Sequence, residues 1–115
     1  MRRLIKSFGY ALSGVAYTTK TQLNFQIHLV AVLLVGAAGW YFHLAVGEWL
    51  WVILAIGLVL VAELLNTAIE ILVDLVSPGF NEQAGRVKDV AAGAVVIAAI
   101  IAVVIGALIF IPKFI

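Results

Sequence analysis

Apolar positions along this chain fall into blocks with different periods. In residues 1–20, Leu4, Phe8, Ala11, Leu12 and Val15 recur every three or four positions, and Lys6, Ser7, Tyr10, Ser13, Gly14 and Tyr17 fall largely opposite them. That repeat predicts an amphipathic helix, weakened by Gly9 and Gly14. Thr21 to Gly47 has no charged residue when His28 and His43 are neutral, and Leu29 to Phe42 is apolar throughout. Counted from Asn24, this stretch is long enough to cross a bilayer. A second span is expected over Trp49–Asp74, beginning with the uncharged run to Ala62. The β-branched pair Val52-Ile53 and the stretch Ile71–Val73 do not argue for strands, because a lone hairpin leaves backbone groups unpaired in lipid. Pro78-Gly79 marks a turn across Ser77–Ala84. A third span follows over Val90–Ile111, closed by Pro112, Lys113 and Phe114.

The expected fold is therefore an all-α membrane protein, with an N-terminal amphipathic surface helix and three transmembrane helices. Residues 1–20 form the interfacial helix and residues 21–115 the membrane domain. Composition agrees: 65% of the 115 residues are hydrophobic and 11% charged, against about a quarter charged in soluble domains. A signal peptide fits residues 1–20 badly, since they are only moderately apolar and lack an Ala-x-Ala site. A net charge of +1 gives no basic face for nucleic acid, so no nucleic-acid partner is expected. The absence of cysteine excludes disulfide and thiol chemistry. Two histidines without HExxH spacing speak against a structural zinc site.

Charge also predicts sidedness. Arg2, Arg3, Lys6 and Lys20 precede the first span, Arg86 and Lys88 follow the second, and only Lys113 lies at the other boundary. The positive-inside rule then puts the N-terminus and second connection in the cytoplasm of a multi-pass inner or plasma-membrane protein. Trp40, Tyr41, Phe42, Trp49 and Trp51 make an aromatic belt at the outer boundary. Within the third span, Ala94, Ala98, Ala102 and Gly106 form a small-residue ladder, and Gly36 to Gly39 offers close approach in the first.

One stretch breaks the apolar pattern. In ELLNTAIEILVD, the residues Glu63, Asn66, Glu70 and Asp74 are spaced three, four and four apart and share a helix face. Such groups inside a span need water, cations, protein partners or protonation. The predicted topology brings them near the inner surface together with Gln22, Asn24, Gln26 and His28 and the Arg86-Lys88-Asp89 group. Carboxylates there can hold Mg2+ with nucleotide phosphates, a lysine can neutralise a phosphoryl group, and a carboxylate can accept a hydroxyl proton. The absence of a GxxxxGK[ST] loop excludes a nucleotide site of that type. On the residues alone, phosphoryl transfer stays open beside a proton or cation channel and a charged helix-pairing or assembly role.

ELLNTAIE at Glu63–Glu70, followed by Asp74, and KDVAAGAV at Lys88–Val95 resemble the prokaryotic diacylglycerol kinase family. The order of surface helix, three spans and inner connection matches as well, so the resemblance covers nearly the whole chain. Ser77-Pro78 and the Asn24–His28 entrance look more like its Gram-positive branch, which includes undecaprenol kinases. The resemblance implies a homotrimer that uses ATP with Mg2+ to phosphorylate a membrane lipid alcohol, with undecaprenol as first choice and diacylglycerol as the alternative. It implies Glu63 as base, supported by Asn66 and Lys88. It implies Gln22 and Glu70 at the metal, and Tyr10, Tyr17, Asp74, Lys88 and Asp89 on the nucleotide side, under the surface helix. One position departs: the family carries glutamate where this chain has Gln22, which keeps a carbonyl acceptor but loses the charge.

Overall fold

The computed structural model describes residues 1–115 as four helices: α1 (Arg2–Thr21), α2 (Leu23–Tyr41), α3 (Val46–Val76) and α4 (Glu82–Phe114). The last three are long and apolar enough to cross a membrane. The all-α architecture expected from the pattern is the one observed. α1 stays helical through Gly9 and Gly14 and ends at Thr21, one residue later than expected. Gln22, extended at φ −111° and ψ 111°, turns the chain from α1 into α2.

α3 and α4 form the main packed pair, α2 leans on α3, and α1 touches α2 and α3 at their polar end. The buried side of α3 runs Val52, Ala55, Val59, Glu63 and Thr67, a three-to-four-residue repeat that keeps one stripe inward. From α4, Ala91 and Ala98 turn inward. Small side chains there let backbones approach, because lipid tails leave little hydrophobic drive for helices to associate. Of the α2 glycines, Gly39 meets a neighbour: a Cβ there would sit 2.5 Å from Cη2 of Trp49, whereas Gly36 has open space around it.

Local chemistry sets the helix ends. Glu48 accepts a hydrogen bond from the Ala45 N–H at 3.0 Å and starts α3. Asn81 Oδ1 accepts from the N–H groups of Gln83 and Ala84, capping α4. His43 takes the left-handed conformation, φ 53°, in the short α2–α3 turn. α4 ends within the Pro112–Phe114 segment expected to close it, running through Pro112 to Phe114. The ring removes the N–H that would bond back to Leu108, and the helix ends two residues later. At this aromatic end, Phe42 packs edge-on against Phe110 and Phe114, and Lys113 Nζ lies 3.0 Å from Glu48 Oε2.

Candidate active site

The acidic face of α3 occupies its second half, and the structure divides it by depth. His28 Nε2 of α2 lies 3.2 Å from Oε1 of Glu63, which aligns those two levels. At 1.5 Å per residue, α3 then continues about 12 Å beyond the first residue of α2. Glu63 sits among packed helices and is 2% exposed. Glu70 is half-buried, and Asp74 is exposed on the overhang.

Each polar group has a different partner. Asn66 donates from Nδ2 to Glu70 Oε1 at 3.0 Å. Thr67 Oγ1 donates to the Glu63 backbone carbonyl at 2.9 Å, which satisfies the hydroxyl and leaves the Glu63 carboxylate untouched. Lys88 Nζ donates to Asp74 Oδ1 at 2.6 Å, tying α4 to α3. Lys88 thus stands in the field of Asp74, in contact, and of Glu70 behind it. The His28–Glu63 contact is close but off the line a hydrogen bond requires, so Glu63 Oε1 remains buried without a donor; Asn66 Oδ1 is in the same state. Buried polar atoms without partners are uncommon and costly, and both occur on this face.

The structure does not gather every expected site residue. Glu63, Asn66, Glu70, Asp74 and Lys88 form one descending series along α3 and α4. Asp89 is exposed and forms no ion pair. Tyr10 and Tyr17 are exposed on α1. Gln22 is half-buried at the α1–α2 junction, its Nε2 donating to Thr21 Oγ1 at 3.3 Å, which leaves its carbonyl oxygen free. The Glu63 partner, His28, was legible only as part of a polar entrance to α2; equal depth on neighbouring helices was the available signal.

No three His, Asp or Glu side chains converge into an all-protein metal cage. A magnesium ion arriving with phosphates asks less, because one or two carboxylates suffice. Glu70 fits that demand. Asn66 fixes one oxygen and the other makes no bond within the chain. Beside His28 an apolar groove of about 280 Å³ opens between α2 and α4 over α3, lined by Val32, Val35, Val59, Ala102 and Phe110 among others. The groove ends at His28, whose Nε2 lies 3.2 Å from the buried Glu63 carboxylate.

Comparison with known proteins bears on what this arrangement does. A sequence model described as prokaryotic diacylglycerol kinase matches residues 9–110. The chain is 43% identical over 113 residues to an undecaprenol kinase of Bacillus subtilis, covering 98% of this chain and 92% of that protein. It is 44% identical over 110 residues to a diacylglycerol kinase of Synechocystis, covering 95% of this chain and 63% of that protein. A diacylglycerol kinase of Escherichia coli is 34% identical over 102 residues, covering 89% of this chain and 84% of that protein. The chain belongs to the prokaryotic diacylglycerol kinase family, and with it to the membrane lipid kinases.

Proposed function

We propose that this protein transfers the γ-phosphoryl group of ATP to the hydroxyl of a membrane lipid alcohol, with Glu63 as the base. The observation that carries the assignment is the Glu63 carboxylate, buried and free of hydrogen bonds within the chain, next to the His28 that ends an apolar groove. Family membership favours phosphoryl transfer over the channel and assembly readings.

The lipid tail lies along the groove and brings its hydroxyl to Glu63. Glu63 takes the hydroxyl proton as the oxygen attacks the γ-phosphorus, and the bond to the β-phosphate oxygen breaks to release ADP. Lys88 neutralises phosphate charge from α4, with Asp74 holding its ammonium in place. Glu70, steadied by Asn66, and the Gln22 carbonyl would hold the Mg2+ that accompanies ATP, which would supply charge neutralisation at the phosphates. Asp89 and the α1 residues Tyr10 and Tyr17 complete the nucleotide side as α1 closes over it. The protein works as a homotrimer with its N-terminus in the cytoplasm.

Of the two alcohols, diacylglycerol is backed better by the family description and by the Synechocystis and Escherichia coli relatives. The Bacillus relative's name supports undecaprenol, the first choice from the sequence. Purified protein with labelled ATP and each alcohol, alone and in competition, tests both levels. Phosphatidic acid as the preferred product is expected, and preferential undecaprenyl phosphate would reverse the order. Glu63→Gln should lower turnover about 10²- to 10⁴-fold, the usual contribution of a general base. Phosphorylation of neither lipid by folded protein would overturn the assignment.

A further inference from the structure

We propose that His28 is a positioning residue for Glu63: its Nε2–H holds the carboxylate in the orientation that accepts the lipid hydroxyl proton. This rests on the kinase reading of the same site and adds a residue to it. Glu63 is 2% exposed, and a carboxylate removed from water needs donors. Its neighbours on α3 decline that role. The Thr67 hydroxyl donates to the Glu63 carbonyl, and Asn66 Nδ2 donates to Glu70 and not to Glu63. No other side chain in the fold bonds this carboxylate. His28 is within 3.2 Å on the facing helix, so a small ring rotation turns a misaligned contact into a charge-assisted hydrogen bond.

The histidine's other side faces the groove. It forms the end of the apolar groove next to Val32 and Val59, and its side chain is 26% exposed. A neutral imidazole offers one N–H and one acceptor nitrogen, and the partner of one nitrogen decides which is protonated. Glu63 at Nε2 selects the tautomer with the proton there. The carboxylate oxygen not engaged by His28 is then the one presented to the hydroxyl.

Two measurements separate positioning from packing. In protein carrying 15N-labelled histidine, the Nε2 resonance of His28 should report a hydrogen-bonded proton and should move on Glu63→Gln. His43, in the turn at the opposite end, is the internal reference and should stay fixed. An unmoved His28 resonance would overturn the proposal without requiring any change at His28. In the kinase assay, His28→Leu should lower kcat roughly ten- to a hundredfold, the range for a hydrogen bond to a charged group, with KM for ATP unchanged. His28→Gln, which still offers an amide N–H, should recover most of that loss. In a Glu63→Gln background, His28→Leu should add nothing. An equal fractional loss in both backgrounds, or no recovery with glutamine in folded protein, refutes positioning. Wild-type protein that phosphorylates no lipid refutes the kinase reading instead, and the resonance still decides whether the two side chains are bonded.

Discussion

Charge on α3 acts differently at each level. Asp74 and Lys88 meet at 2.6 Å but are 65% and 40% exposed, and exposed ion pairs contribute little to stability. Lys88→Met should therefore leave the melting temperature almost unchanged while cutting turnover and raising KM for ATP; a large loss of stability with normal kinetics would show the pair to be structural. Gln22 poses the opposite question. Its free carbonyl is a neutral ligand where the family resemblance implies a carboxylate. Gln22→Glu should lower the Mg2+ concentration giving half-maximal activity, and an unchanged Mg2+ titration would remove Gln22 from the metal site. Spacing alone placed Glu63, Asn66, Glu70 and Asp74 on one face. It could not say that Glu63 turns to α2, Asn66 to its own helix and Asp74 to α4, because partner choice depends on the relative depth and rotation of neighbouring helices.

At the scale of elements, periodicity located the first helix and the lengths of the apolar runs located the three spans, with α1 ending one residue later than expected. The backbone N–H of Gln22 still bonds to the Thr18 carbonyl, which carries α1 to Thr21, and α4 continues through Pro112 to end at Phe114. The glycines of α2 looked equivalent in sequence but differ in surroundings. Gly39→Ala drives a methyl into Trp49 and should destabilise by about 1–3 kcal/mol, the usual range for overpacking. Gly36→Ala meets nothing within 4 Å and should be neutral or stabilise by up to about 1 kcal/mol through helix propensity. Thermal unfolding of the two variants in one detergent checks the contrast; equal behaviour would mean that α2 and α3 do not approach at Gly39. The α4 ladder divides in the same way. Ala98 is buried against α3, while Ala102 and Gly106 line the groove.

For the whole molecule, only 11 of 115 residues are buried, and many apolar side chains of the spans, Leu33, Leu50, Ile53 and Val103 among them, are exposed. Sidedness can be read directly, because the chain lacks cysteine. Single cysteines at Phe80 and Val46, both well exposed, should label from opposite sides of sealed membranes, Phe80 from the cytoplasm; labelling of both from one side would refute the topology. Native mass spectrometry should find three chains per particle, and a monomer that retains full activity would exclude the trimer. Sequence by itself determined the helical class, the number of spans and the existence of a polar stripe too costly to face lipid. Those follow from local periodicity and from the bilayer's demand that every backbone group be bonded within its own segment. Only the tertiary structure decided that Glu63 is buried beside His28, that Lys88 is bound to Asp74 and that α2 and α4 part to leave a groove. These are distances between segments remote in sequence, set by how helices dock, and no pattern within one helix encodes them.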